Sequence, residues 1–226
     1  MAKRLFILFL LVFLSGYAQD INNGLFVTGE GTVESEPDLA IVRLGTSLQD
    51  RTADKVYQAT NTTIDAIINA LVKIGIKKED IKSEGVGLYP QYDYADGKQK
   101  FIGFQMNHNL SIKVKKIDKI ADVLDNATYT GANTISGISF GFQDPEKFMS
   151  QARTKAIAAA EKKAKEIAQN ANIKLGKIIQ ITESSYPVDF SRTLETGANA
   201  QATIVPGTNS VRASVTIRYE ILETKQ

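Results

Sequence analysis

The residues able to do chemistry are few: the chain of 226 residues has one His, no Cys and no Trp. Without Cys there is no thiolate nucleophile, no Cys-ligated zinc and no iron–sulfur cluster, and a single imidazole cannot build a multi-His metal site. His108 falls on the apolar side of an alternating run, where a buried or half-buried imidazole bonded to a neighbour is the ordinary outcome. The densest aromatic and acidic string is Tyr89, Tyr92, Asp93, Tyr94, with Asp96 close behind. It has the make-up to bind a sugar, a cation or a partner edge, and equally to be a plain hairpin with aromatic cross-strand packing. Strand alternation puts Tyr92 and Tyr94 on one face and Tyr89 with Asp93 on the other. These four residues are the candidate binding surface, and no catalytic, cofactor or metal residue is assigned.

The carboxylates Glu30, Glu34, Glu36 and Asp38 lie in a polar segment and most simply face water, which leaves hydrolysis without a converging pair. No nucleophile elbow, zinc-protease helix or phosphate-binding loop is expected. Gly29 and Gly31 lack a third glycine at dinucleotide-binding spacing and read as a strand bulge. Direct peroxide chemistry has no thiol or metal set to run it.

These residues need a scaffold, and the composition allows one: 23% charged and 43% apolar residues are ordinary globular proportions. At the start, Lys3 and Arg4 precede an apolar run from Leu5 to Leu14 and then Ser15, Gly16, Tyr17, Ala18. That is the pattern of a secretory signal peptide over residues 1–18, since a membrane anchor needs about 20 apolar residues. The mature chain, 19–226, is then expected to be exported and without stable membrane insertion. Removing Lys3 and Arg4 leaves 25 basic residues against 25 acidic ones, which disfavours a nucleic-acid partner.

Within the mature chain, Leu25 to Leu48 reads as extended, broken at Pro37 and Asp38. Thr52 is placed to cap a helix with the stripe Val56, Ala59, Thr63, Ile67, Ala70, Leu71, Ile74 and Gly75 at its end. A hairpin is predicted over Ile81 to Val114, with Ile102, Phe104, Met106, His108, Leu110, Ile112 and Val114 sharing one core face. A short helix carrying Ile117, Ile120, Leu124 and Ala127 leads to a strand from Thr134, which suggests a crossover between parallel neighbours. Asp144 and Pro145 start a long helix with the stripe Met149, Ala152, Ala156, Ala160, Ala164, Ile167, Ala171. Its lysine-rich other faces read as solvated. Strands from Gly176 and from Val211 end the chain, separated by a long polar loop from Glu183 to Asn209.

The order ββαββ then αβαββ predicts an α+β fold, with mixed sheets and helices packed on one face. Gly75, Ile76, Ile81, Tyr89, Pro90 are echoed by Ile173, Gly176, Ile181, Tyr186, Pro187, which suggests duplicated βαββ-like halves over 25–116 and 117–222. Chance similarity of strand and turn composition accounts for the echo about as well.

Several strings occur together in an order that resembles the bacterial SIMPL-domain family. They are Val27-Thr28-Gly29-Glu30-Gly31 with Pro37-Asp38-Leu39-Ala40, Leu88 through Tyr94, Gly131-Ala132-Asn133 with Gly137-Ile138-Ser139-Phe140, and Leu175-Gly176-Lys177. The resemblance covers nearly the whole mature chain. It implies a periplasmic or outer-membrane-associated protein linked to defence against oxidative stress, with immunogenic antigens among its relatives and no established enzymatic activity. It also implies self-assembly into a homo-oligomer, an envelope protein partner and no cofactor. Two other readings stand beside it: a hydrolase or lyase using carboxylates and tyrosines on an envelope saccharide or peptide, and a small-ligand or metal-binding module.

Overall fold

The structure is a computed structural model that describes residues 24–95, 97–185 and 205–222. The expected leader over 1–18 and most of the expected loop after Ser185 lie outside the described residues. Among the described residues seven strands and three α-helices follow the expected order. They are β1 (Leu25–Ser35), β2 (Leu39–Asp50), α1 (Ala53–Lys73), β3 (Ile81–Ala95), β4 (Lys98–Val114), α2 (Ile120–Tyr129), β5 (Thr134–Gly141), α3 (Pro145–Asn170), β6 (Lys174–Ser185) and β7 (Asn209–Leu222). The strands form two sheets, ordered β1-β7-β6 and β3-β4-β2-β5, and the chain is an α+β protein.

The chain forms two compact units, each gathered from separated stretches. The described part of the first comprises 24–32, 150–185 and 212–222, and that of the second 33–95, 97–149 and 205–211. In the first unit, Ala213, Val215, Ile217 and Tyr219 alternate as buried positions along β7, the last strand as expected from its period. Along α3, Ala152, Ala156, Ala160 and Ala164 are fully buried, and the stripe continues through Ala168 rather than Ile167 and Ala171. Gly29 and Gly31 belong to this contact and not to a bulge: a Cβ at Gly29 would strike Ala156 O and Ala160 N, and one at Gly31 would strike Ala152 O. Glycine on the strand and alanine on the helix bring the two backbones together.

In the second unit the core joins Ala40, Val42 and Leu44 of β2 to Leu110, Ile112 and Val114 of β4, Ile64, Ile67 and Leu71 of α1, Val123 and Ala127 of α2, and Phe140 of β5. The buried face of α1 runs Val56, Thr60, Ile64, Ile67, Leu71, so Ala59 and Thr63 give way to the residues one position later. Thr52 occupies the N-cap position, but its hydroxyl turns back to Asp50 Oδ1 at 3.4 Å and caps nothing. Gly75 adopts φ +97° where α1 stops, the left-handed conformation its position predicts. Asp144 caps α3 as expected, accepting from the Lys147 N–H at 3.2 Å.

The crossover between parallel neighbours does not form. β4 and β5 both pair antiparallel with β2 and so run parallel to each other with β2 between them. The registered pairings, β6 with β7 included, are all antiparallel rather than mixed. The helix-length connection is therefore used to step over a strand already in place. The loop placed over Glu183 to Asn209 shortens at both ends, because β6 reaches Ser185 and β7 begins at Asn209.

Candidate functional site

The hairpin of β3 and β4 outruns its sheet. β2 accompanies β4 only as far as the pair Asp50 and Phe104, whereas β3 and β4 stay paired on to Ala95 and Lys98. Beyond Asp50 the two strands form an arm with no third strand beside it among the described residues, and a two-stranded ribbon is of marginal stability unless its side chains hold it. Here aromatic rings supply that hold. Tyr92 meets Phe101 edge-on at 5.7 Å, and Phe101 meets Phe104 edge-on at 5.2 Å. Edge-to-face pairs at such separations contribute about 1 kcal/mol each beyond their buried area.

The register explains how Phe101 and Phe104, three residues apart, share a face. Gln91 opposes Gly103 and Tyr92 opposes Phe101, so Ile102 is the extra residue of a bulge. Gly103 has φ +146°, and a Cβ there would meet Asp50 O at 2.5 Å, so only glycine fits where β4 passes the end of β2. The bulge changes the parity of the strand. Phe101, not Ile102, continues the face of Met106 and Phe104, and Ile102 stands exposed. Strict alternation holds for Met106, Leu110, Ile112 and Val114, which are buried, and fails beyond Phe104.

Of the four candidate residues, the register puts Tyr92 and Tyr94 on one face and Tyr89 and Asp93 on the other, as alternation predicts. The structure does not gather them into one pocket. Tyr89 lays its ring over Gly87, and Asp93 accepts from the Tyr94 backbone N–H at 2.9 Å. Tyr89 is 55%, Tyr92 44%, Tyr94 74% and Phe101 46% exposed; Tyr92, Tyr94 and Phe101 carry aromatic surface on one face of the arm, whereas Tyr89, opposite Gln105, lies where β2 still accompanies β4. Phe101 and Phe104 are the members that sequence reasoning missed. Gly103 was the available signal, since an isolated glycine inside an alternating run marks a bulge.

β3 is also the edge of its sheet. The bulge at Ser83/Gly85, where Glu84 is the extra residue of β3, and Pro90, which has no N–H, interrupt the row of backbone groups an incoming strand would need. The arm is therefore suited to contact through its side chains rather than by adding a strand.

The residues weighed for catalysis lie elsewhere. His108 is half-buried, with Nε2 2.8 Å from Ser83 Oγ and Nδ1 buried without a partner. Which of the two donates in the Ser83–His108 bond depends on the tautomer of the ring. Burial lowers the His108 pKa below its ordinary value, with Asp65 pulling weakly the other way. Glu30, Glu34, Glu36 and Asp38 are exposed, and Asp38 accepts from the Gln143 N–H at 2.7 Å.

The spacing of a nucleophile elbow does occur, as Gly137, Ile138, Ser139, Phe140, Gly141, a string the sequence reading passed over. It lies along β5, where Ser139 pairs with Ile41 and is buried, with the Arg43 guanidinium donating to its hydroxyl at 3.4 Å. An elbow needs a sharp strand-to-helix turn that exposes the serine, and this segment is plain strand. Among the described residues no group of three or more His, Cys, Asp or Glu is placed to hold a metal ion. No helix among them is long and apolar enough to cross a membrane.

The 26 kDa periplasmic immunogenic protein of Brucella melitensis is 29% identical to the chain over 208 residues, covering 86% of this chain and 83% of the relative. The uncharacterized protein YggE of Escherichia coli is 27% identical over 170 residues, covering 74% and 69% respectively. YggE of Edwardsiella ictaluri is 25% identical over 209 residues, covering 91% and 85%. The SIMPL family model, described as a protein of unknown function (DUF541), matches residues 25–219, from the start of β1 almost to the end of β7, and the chain belongs to that family.

Proposed function

We propose that the protein acts in the cell envelope by protein–protein contact, self-assembly above all, and not by catalysis, in defence against oxidative stress. The observation that carries this reading is the β3–β4 arm, which extends past β2 with Tyr92, Tyr94 and Phe101 exposed. Aromatic side chains present large contact area at low conformational cost and are enriched where proteins bind one another. A sheet has no reason of its own to extend two strands into solvent with their rings outward. The periplasmic setting draws on the leader-like residues 1–18 and on the name of the Brucella relative. The stress role draws on the likeness to SIMPL-domain proteins.

A photo-reactive phenylalanine analogue placed at Tyr94 tests the contact in cells, with the same analogue at Tyr129 as control. Tyr129, at the end of α2, is 93% exposed and lies away from the arm in the sequence of elements. The expected result is a discrete crosslinked band from position 94, containing either a second copy or one envelope protein, and none from position 129. Absence of a crosslink from 94, or equal labelling from both sites, contradicts the reading.

A further inference from the structure

At the opposite end of β4 from the arm, a cavity of about 300 Å³ is lined by Lys77, Asp80, Lys113, Lys115, Lys116 and Lys119 among its residues. The five lysines come from different parts of the unit: the segment after α1, the end of β4, and the turn that leads into α2. A chain whose mature form carries balanced charge has thus gathered five cations around one hollow with a single lining carboxylate.

That carboxylate is already engaged. Asp80 is 8% exposed, and the Lys115 ammonium donates to both its oxygens, at 2.8 and 2.7 Å. Around the rim, Lys77 approaches Glu79 at 3.5 Å and Lys119 donates to Asp122 at 2.8 Å. Lys113 and Lys116 are exposed and have no ion pair or side-chain hydrogen bond among the described residues. The carboxyl end of α1 at Ile74 and Gly75 offers a partial negative charge, which suits Lys73 and Lys77 but leaves the two lysines of the β4 side uncompensated. Lys119 moreover holds the N-cap position of α2, a ten-residue helix with no side-chain cap, where the helix dipole disfavours a cation and favours an anion.

We infer that this cavity binds a compact tetrahedral oxyanion, a phosphate or sulfate group, with Lys113 and Lys116 as its principal ligands and Lys77 and Lys119 at its rim. Ammonium groups reaching in from separate elements match an anion that offers acceptors in several directions. Asp80 fixes Lys115 and keeps it out of competition for the ligand. The small volume selects a single charged group over a polymer, so the same chemistry is met by free phosphate or by a phosphorylated lipid headgroup.

Two arms of one experiment separate those sources. Purified protein is titrated calorimetrically with inorganic phosphate at low ionic strength, and is sedimented with phosphatidylcholine vesicles containing phosphatidic acid. Each arm compares the native protein with Lys113→Gln/Lys116→Gln and with Lys163→Gln/Lys165→Gln, which removes equal charge from exposed positions of α3. The expected result is saturable binding that weakens as salt rises, falls by about tenfold or more in the first double variant and is unchanged in the second. Saturation by phosphate without vesicle retention assigns the free ion, and vesicle retention lost in the first variant assigns the headgroup; both support the site. Absence of saturable binding in both arms, or an equal loss in the two variants, overturns it. Circular dichroism of the exposed-residue variants confirms that a loss of binding is not a loss of fold.

Discussion

His108, read from the sequence as a strand imidazole bonded to a neighbour, finds that neighbour in Ser83. Its ring sits between β3 and α1 neighbours, bonded to Ser83 and opposed at a distance by Asp65, and burial favours the neutral form. Its native pKa therefore lies below the unfolded value of 6.5. Between those two values the unfolded chain binds more protons than the native one, so stability rises with pH through that window and is lost as pH falls below 6.5. Denaturant titrations from about pH 7 down to about pH 5 should show the native protein losing stability more steeply than His108→Gln. Identical slopes in the two proteins would mean that His108 is not held neutral by burial. The residue scale also marks where reading by type succeeded. A lone His on an apolar face was legible as a satisfied strand residue, whereas its partner was not, because Ser83 comes alongside only through the register of β3 and β4.

At the scale of elements, most of the architecture was legible because its signals are local. The alternation along β7, the Asp144-Pro145 start of α3 and the Gly75 stop of α1 each depend on a few consecutive residues, and each appears where expected. What was not legible depends on partners distant in sequence. The bulge at Ile102 exists because β4 must pass the end of β2, and the place of β5 beside β2 rather than β4 is a choice among edges that no local period encodes. Gly29 and Gly31 belong to the same class, since they looked like a bulge and serve a helix more than 120 residues away. Their contact with α3 carries a direct prediction. Gly29→Ala forces a methyl group into the backbone of α3 and should cost about 1–3 kcal/mol or more in unfolding free energy. Gly85→Ala in β3, where the only near atom is Asn109 Nδ2 at 4.0 Å, should stay within about 0.5 kcal/mol of the native protein. Urea denaturation of both variants checks the pair, and equal stabilities would refute the close-packed contact.

For the whole molecule, the division of labour follows from where the apolar surface goes. The sheet of the second unit buries an apolar face against α1 and α2, yet the β3–β4 arm keeps aromatic rings in solvent beyond the reach of β2. On the proposed function this surface serves a contact, and the interruptions along the β3 edge favour contact through side chains over open-ended strand pairing. Because the arm lies outside the core, replacing its exposed rings removes the ring pairs that hold the arm together with its contact surface, and should leave the core of helices and sheet in place. The most direct measurement is the mass of the purified protein by light scattering after size exclusion, for the native chain and for Tyr92→Ser/Tyr94→Ser/Phe101→Ser. A discrete assembly of several chains that falls toward the single-chain mass in the triple variant, with an unchanged helical circular dichroism signal, is the result predicted. A single-chain mass at every concentration, or an assembly that the triple variant leaves whole, would contradict it.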